Sequence, residues 1–186
     1  MYADASKGWI VTATGNSNQA ADIKYVTATG GTITTSGDDK IHTFTGPGTF
    51  TISCIGNPAG STSYSYHVIA GGGGAGRGYG SHGGGGGYRS AGCYGPAPLR
   101  ISAVTAAAAD FPISIGAGGA GKAPPGLNYG PGAAGNNTTG FSFTAAGGGY
   151  GAGGIPGPSF GAAGGPGGSG GGATGGAPGS GSFAGG

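Results

Sequence analysis

Three histidines and one glycine motif are the features of this sequence whose type and spacing could do chemistry. The motif is G-x-G-x-x-G at Gly71, Gly73 and Gly76, directly after the strand-like stretch YSYHVIA. In dinucleotide-binding folds it opens a helix that faces the pyrophosphate, and an acidic residue follows about 20 positions on. Here RGYGSHGGGGGYR follows, in which each glycine costs a helix about 1 kcal/mol, and the next acid is Asp110. We therefore expect no nucleotide site.

Catalysis and metal binding have little support either. His42 falls in a predicted strand, His67 beside a change in composition and His82 in a glycine run, with no cysteine or carboxylate at metal or triad spacing. The chain has five aspartates and no glutamate, so it has few carboxylates that could form a catalytic pair. We predict that the protein is not an enzyme, has no catalytic residues and uses no metal or cofactor.

Composition divides the chain in two. Of 186 residues, 53 are glycine and 12 are charged, and only nine of the glycines precede residue 69. This predicts a region 1–68 with net charge −1 and a glycine-rich region 69–186 with net charge +3. Nucleic-acid binding is not expected, because the basic residues do not cluster. Disordered chains are usually rich in charge, so order is favoured, with a disordered tail as the alternative.

Membrane insertion is not expected, because no apolar run approaches the roughly 20 residues that a span needs, and no signal peptide is evident. The two cysteines, Cys54 and Cys93, are interpreted as unpaired thiols. A disulfide between them is the alternative, since spacing alone does not decide pairing.

The first region is predicted to be β-structure, on residues 8–14, 22–29, 40–45 and 48–55, which are rich in Thr, Val, Ile and aromatics. The stretch TFTGPGTFTIS predicts a hairpin around Gly46-Pro47-Gly48, with Phe50, Ile52 and Cys54 on one face. TSGDDK predicts a turn. So small a sheet should pack on the glycine-rich region or on a partner chain.

Glycine recurs at every third position in two stretches of the second region. One frame runs from Gly148 to Gly157, and another runs from Gly161 to Gly185 with two gaps. Three residues is the period of the polyproline II helix, which makes no internal hydrogen bonds and must bond to its neighbours when buried. The broken frame excludes collagen. The frame instead predicts a bundle of short polyglycine II helices, with in-frame glycines where helices touch.

Three apolar inserts in the second region predict strands that feed this bundle. They are LRISAVTA, DFPISIGAGG and NNTTGFSFTAAGGGYG. Almost no helix is expected, with one turn near SAVTAAAAD as the exception. The predicted fold class is therefore mostly β and irregular, with a small antiparallel β-region ahead of a glycine-rich bundle of polyproline II (polyglycine II) type.

The ordered series GTFTISC, YSYHVIAGGGGAG, GGGGGYRSAG, FPISIGAGGAG and GNNTTGFSFTAAGGGYG resembles the glycine-rich domain of tail fibres and adhesins of tailed bacteriophages. The resemblance covers residues 38–154. It implies that the glycine-rich region is built as a polyglycine II sandwich. It also implies a structural virion protein in the tail, assembled in the host cytoplasm, that binds a host-cell surface receptor as a fibre or fibre tip. Residues 1–68 would then be the attachment region.

The resemblance also implies partners. These are other tail or baseplate proteins, a host surface glycan or outer-membrane protein, and either two further copies in a homotrimer or none in a single-chain tip. A baseplate or fibre adaptor without a receptor role is the main alternative, and a glycine-rich structural or ice-binding protein is another.

A polyglycine layer offers few side chains, so recognition should come from the residues that interrupt it. Aromatic and arginine side chains give large contact areas at low entropic cost. The candidate receptor-binding residues are Tyr79, His82, Tyr94, Tyr129, Arg77 and Arg89. Tyr88, Tyr150 and Phe160 are expected either to bind or only to cover the layer.

Overall fold

In a computed structural model, the structure describes residues 22–78, 81–92, 100–123, 129–154 and 162–174, and the backbone of two short strands nearer the N-terminus. These residues contain strands and irregular segments and no helix. Accordingly, nothing in the described part is an apolar helix of membrane-spanning length. The strands are β1 Tyr2–Asp4, β2 Gly8–Trp9, β3 Val26–Thr29, β4 Thr32–Ser36, β5 Asp39–Thr43, β6 Gly48–Ile55, β7 Ser63–Tyr64, β8 Tyr66–Ile69, β9 Tyr88–Ala91, β10 Arg100–Ile101, β11 Val104–Thr105, β12 Ala109–Ile113, β13 Thr138–Gly140 and β14 Phe143–Ala145.

Strand β6 is the centre of an antiparallel sheet of order β12-β6-β3. Its residues alternate as predicted, because Phe50 and Ile52 are buried while Ser53 is exposed. Strand β12 belongs to the glycine-rich region, so the first region does pack on the second, as expected for so small a sheet. The boundary near residue 69 stays a prediction.

The hairpin predicted around Gly46-Pro47-Gly48 is wrong. Strand β5 pairs with β4, whereas β6 pairs with β3 and β12. The sequence TITTS was not predicted as a strand, yet it forms β4 and turns back through Gly37-Asp38. Gly37 has a φ of 58°, which a tight two-residue hairpin loop requires, so the predicted TSGDDK turn is confirmed. Because β5 forms its hydrogen-bonded hairpin with β4, residues 44–47 do not turn back on β5 but connect it to β6 in another sheet.

The apolar inserts form strands, as predicted. LRISAVTA includes β10 and β11, DFPISI includes most of β12, and the third insert forms the β13–β14 hairpin. The helical turn allowed for SAVTAAAAD is wrong, because β11 and the start of β12 occupy that stretch. Of the predicted strand at 8–14, only Gly8–Trp9 is described.

A cluster of aromatic rings joins the two regions. Tyr66 of β8 stacks on Phe141, with ring centroids 4.9 Å apart and 10° between the planes. Phe141 also contacts the rings of Phe50, Tyr64 and Phe111 at centroid distances of 5.4–5.5 Å. Phe141 packs against both apolar cores, one around Phe50 and one around Tyr66. The aromatic cluster therefore fixes the glycine-rich region on the β12-β6-β3 sheet.

Seven irregular segments form the glycine layer. They are residues 70–77, 81–87, 116–123, 130–137, 147–154, 162–165 and 168–174. Residues 70–77 lie centrally and bond to four of the other six. The hydrogen bonds arrange six of the segments in two rows. The first row contains residues 116–123, 70–77 and 81–87, and the second contains residues 130–137, 147–154 and 168–174.

The hydrogen bonds of the layer repeat at every third residue. The N–H groups of the central segment donate to two different neighbours. One set donates to residues 81–87, and the set that lies one residue further along donates to residues 130–137, with N···O distances of 2.8–3.2 Å. The first set is Ala70 to Gly87, Gly73 to Gly84 and Gly76 to Ser81, and the second is Gly71 to Asn136, Gly74 to Ala133 and Arg77 to Gly130. This is the bonding of a polyglycine II bundle, with three residues per turn and every bond to a neighbour.

The predicted glycine frames are only partly continuous. Gly148, Gly151 and Gly154 each donate to the central segment, which confirms the first frame over these positions. The second frame crosses a chain reversal, because Gly171 donates to Gly165 and Thr174 to Ala162. Residues 162–165 and 168–174 are therefore antiparallel neighbours. A period read from sequence does not distinguish one long helix from two that fold back.

Candidate functional site

The G-x-G-x-x-G glycines are packing positions. The N–H groups of Gly71, Gly73 and Gly76 already donate to carbonyl groups of other segments. A Cβ at any of the three would overlap the backbone of a neighbouring segment. None of the three motif glycines therefore has a free N–H group with which to hold a phosphate.

The glycine layer has two chemically different ends. Strands β8, β9, β12, β13 and β14 adjoin their segments at one end, which we call the sheet end. We call the opposite end of the layer the distal end. Three segments have their C-terminal residues there, namely 70–77, 116–123 and 147–154, and two have their N-terminal residues there, namely 81–87 and 130–137. Because a Cβ at most of the layer's glycines would overlap the backbone of a neighbouring segment, few side chains lie between the segments and polar side chains are concentrated towards these ends.

Arg77 lies at the centre of the distal end. Its N–H donates to the carbonyl of Gly130 at 3.0 Å, and its own carbonyl accepts from the N–H of Gly154 at 3.0 Å. The residue is half-buried. Its Nη1 is closed off from solvent and has no hydrogen-bonding partner among the residues that the structure describes. A buried donor left unsatisfied costs about 1–3 kcal/mol, and more when it is charged.

Tyr129 and His82 lie on segments that flank Arg77. The Tyr129 ring covers Gly78, with Cδ1 only 3.0 Å from the position that a Cβ of Gly78 would take. The side chain is half-buried. His82 is exposed, and its carbonyl accepts from the N–H of Gly172 at 2.9 Å, so its backbone is held in the layer. Three of the predicted candidates, Arg77, His82 and Tyr129, therefore share the distal end.

Lys122 was missed by the sequence reasoning and lies at the same end. Its N–H donates to the carbonyl of Ala75 at 3.0 Å, two residues before Arg77. Its stem runs along Gly130, with Cε 3.4 Å and Nζ 3.9 Å from the position of a Cβ there. The three-residue spacing of Gly116, Gly119 and Lys122 is the signal that could have placed it at the end of a segment.

Arg89 is at the opposite end. It lies on β9 opposite Val68, and His82 is seven residues away along the chain, roughly 20 Å at the rise of a polyproline II helix. Its charge acts on Tyr66: burial, together with nearby Tyr64, raises the Tyr66 pKa to about 12, and Arg89 opposes that rise. Arg89 and Arg77 do not share one site.

The remaining aromatic candidates are dispersed. Tyr79 and Tyr94 lie outside the described residues, as do Phe160 and Cys93. The Tyr88 hydroxyl is 2.7 Å from Nδ1 of His67 at the sheet end. Tyr150 covers Gly165. Cys54 is a free, half-buried thiol.

Charge is distributed unevenly between the two ends. The described acids Asp22, Asp38, Asp39 and Asp110 all belong to the strand-bearing part, and no acidic residue follows Asp110 in the chain. Of these, Asp22 pairs with Lys24 at 3.6 Å. The distal end carries Arg77, Lys122 and His82 without a carboxylate on any segment that meets there. Among the described residues, the distal end is a cationic surface that also carries the ring of Tyr129.

No group of three His, Cys, Asp or Glu side chains that could hold a metal ion occurs among the described residues. Comparison of the chain with protein-family models, with curated proteins and with solved structures found no match. The chemistry of its own residues is therefore the basis for assigning a function.

Proposed function

We propose that the protein is a non-enzymatic structural protein of a bacteriophage tail, a fibre or fibre-tip adhesin that binds a receptor on the host-cell surface with its distal end. The observation that supports the proposal is that the two ends of the molecule have different surfaces. Conventional apolar packing lies at the sheet end, and a cationic, aromatic surface lies at the distal end of a layer with almost no side chains.

The bonding of the layer supports this role. A recognition surface binds with less entropic cost when it is held rigid before contact. Arg77, His82 and Lys122 each have backbone groups bonded to neighbouring segments. Their side chains are thus presented from a frame whose position does not depend on the ligand.

The sheet end supports attachment to other tail proteins. The β4–β5 hairpin projects Ile33 and Ile41, which are 47% and 44% exposed, and two-stranded hairpins are marginal in water by themselves. Tail or baseplate proteins are the partners that we assign to this end. Whether one or three copies attach is decided by the size of the assembly in solution.

Localisation in the virion tests the proposal. Gold-labelled antibody against the protein should mark the periphery of the phage tail, at the outer ends of the fibres. Labelling only inside the tail or baseplate would favour the adaptor role. Virions without any label would overturn the assignment to the tail.

A further inference from the structure

The outer edge of β4 is an open strand edge that the described part of the chain does not cover. We propose that this edge pairs antiparallel with β4 of a second copy of the protein, so that two β4–β5 hairpins form one four-stranded sheet. Such a pair goes beyond the proposed function and does not depend on it. The resemblance to tail fibres implies one copy or three, so the pair is an inference from the structure alone.

Strand β4 lacks the features that usually protect an edge. An open row of N–H and C=O groups pairs readily with another chain, and natural edges are therefore short, charged, bulged or interrupted by proline. In this chain β3 has a bulge, β10 has two residues, β12 contains Pro112, and β5 carries Asp39 and Lys40. By contrast, β4 has the sequence TITTS, without charge or proline, and its register with β5 is regular throughout.

The backbone groups along this edge are available for pairing. Every residue of β4 is exposed, and no described backbone group outside the hairpin bonds to it. Ser36 and Asp39 close the two-residue loop as a bonded pair, and bonded pairs alternate with non-bonded pairs along an antiparallel ladder. Thr34 therefore bonds to β5, whereas Ile33 and Thr35 direct their N–H and C=O groups outwards.

The sequence of β4 is complementary to itself when two copies run antiparallel. Pairing centred on Thr34 places Ile33 of each copy opposite Thr35 of the other, and these are the residues whose backbone groups point outwards. Thr34 then lies opposite Thr34 of the second copy in a non-bonded pair, in which Cα atoms approach to about 4.5 Å. Threonine pairs across strands stabilise antiparallel sheets. The arrangement has a two-fold axis, the commonest symmetry of protein oligomers.

The distribution of charge favours a second copy on β4. No like charges meet at the junction, because β4 has no charged residue. The two β5 strands, with Asp39 and Lys40, lie on the outside of the four-stranded sheet, three strand spacings or about 14 Å apart. This distance exceeds the screening length of about 8 Å at physiological ionic strength, so the lysines of the two copies repel each other little.

The base of the hairpin is held in the fold while the remainder lacks support. Nδ1 of His42 donates to the carbonyl oxygen of Gly30 at 2.8 Å, and the His42 ring meets Phe50 of the core at a centroid distance of 5.1 Å and 82°. The β4 edge is thus presented in a fixed orientation, which lowers the entropic cost of pairing. Two-stranded hairpins are marginal in water, and a second hairpin adds the strands that stabilise them.

Sedimentation equilibrium of the purified full chain over a range of concentrations tests the inference. We expect a reversible equilibrium between monomer and dimer. Thr34→Lys places two positive charges opposite each other across the junction and should weaken dimerisation at least about tenfold. Thr43→Lys makes the same change at an exposed threonine of β5 and is the matched control, which should dimerise like the unmodified chain. Both variants should keep their melting temperature, because both side chains are exposed.

An exchange of charges identifies the register. Thr34→Glu should also weaken dimerisation by itself, because two negative charges then face each other. An equal mixture of the Thr34→Lys and Thr34→Glu variants should form dimers at least about as well as the unmodified chain, since opposite charges directly across two strands stabilise the pair. This recovery is expected only if residue 34 of one copy faces residue 34 of the other.

A chain that stays monomeric at its highest soluble concentration would overturn the inference and would leave the β4 edge to a strand of another protein. A trimer, or equal weakening by Thr34→Lys and Thr43→Lys, would overturn it as well, as would a mixture that does not recover. Localisation in the virion tests the proposed function separately, because a dimer in solution neither requires nor excludes a place in the tail.

Discussion

Gly73 and Gly149 lie on adjacent segments of the layer, so close that a Cβ on Gly73 would overlap the carbonyl oxygen of Gly149. The same Gly73 donates to Gly84, whose N–H donates in turn to Gly149. Three segments thus meet at a point where only hydrogen fits on the α-carbon. The contact explains why this chain needs glycine in such numbers, and it makes the layer testable one position at a time.

Gly73→Ala should destabilise the protein by about 1–3 kcal/mol, the usual range for overpacking a filled interior. The matched control is Gly72→Ala, one residue away, where the nearest atom to the new Cβ is the Gly84 carbonyl oxygen at 3.6 Å. That variant should gain about 0.4–1 kcal/mol, because alanine has fewer unfolded conformations. Chemical denaturation measures both. Equal effects of the two substitutions would show that the segments are not packed as described.

Gly167→Val should be far more damaging than Ser169→Val. A Cβ at Gly167 would overlap the backbone N of Gly149, whereas Ser169 already has a Cβ and is only half-buried. The branches of valine would force residues 147–154 away from residues 168–174. Melting temperatures of the two variants give the comparison, and similar values would contradict it.

Ser142→Gly should stabilise the protein by about 0.5–1 kcal/mol. Phe141 and Ser142 form the β13–β14 turn with φ angles of 52° and 64°, a left-handed conformation that costs a non-glycine residue about 1–2 kcal/mol. Ser142 is exposed, so glycine there removes strain and little contact. Thr144→Gly, at an exposed position on β14, is the control and should lower stability. A loss at Ser142 would mean that its side chain holds the turn.

Stability should decrease at alkaline pH because of Tyr66. Its pKa is raised to about 12 by burial and by Tyr64, whereas an unfolded tyrosine titrates near 10. Between these values the folded protein keeps a proton that the unfolded chain loses. The contribution of Tyr66 to the free energy of unfolding is therefore constant below about pH 10 and falls as the pH rises towards 12. Tyr66→Phe should flatten that fall, while Tyr25→Phe, at an exposed residue, should not. Curves of unfolding free energy against pH that run parallel for the unmodified protein and both variants would contradict the raised pKa of Tyr66.

Much of this fold could be predicted from sequence, and the failures have physical causes. Strand β6 and the three inserts were predicted because β-branched and aromatic residues alternate there. The Gly46-Pro47-Gly48 hairpin was wrong because the chemistry of a turn does not determine which strand becomes the partner. Strand β4 was missed because every residue of TITTS is exposed and has no apolar face to detect.

The candidate site was only partly predictable for a related reason. Sequence spacing identified Arg77, His82 and Tyr129 as interruptions of the glycine pattern. It could not separate them from Arg89, since the end at which a residue lies depends on the direction of each segment. Lys122 was missed because its place beside Gly130 follows from bonds between segments that are far apart in the chain.

Attachment should depend on the sheet end. A double variant, Ile33→Thr with Ile41→Thr, changes two exposed side chains on opposite faces of the β4–β5 hairpin and should fold normally. We expect it to be lost from purified virions. Deletion of residues 1–37 should also prevent incorporation, but it removes β3 from the β12-β6-β3 sheet, so the double variant separates attachment from folding. Normal incorporation of a folded double variant would place attachment elsewhere.

Adsorption of labelled protein to cells of the bacterial host tests the central claim most directly. A distal variant replaces His82 and Tyr129 by Ala, and Arg89→Ala at the sheet end is its control. The account predicts that the distal variant loses binding to cells while it keeps its melting temperature, and that the control binds like the unmodified protein. Undiminished binding by the distal variant, or loss of binding only in the Arg89 variant, would contradict the claim that the distal end recognises the cell.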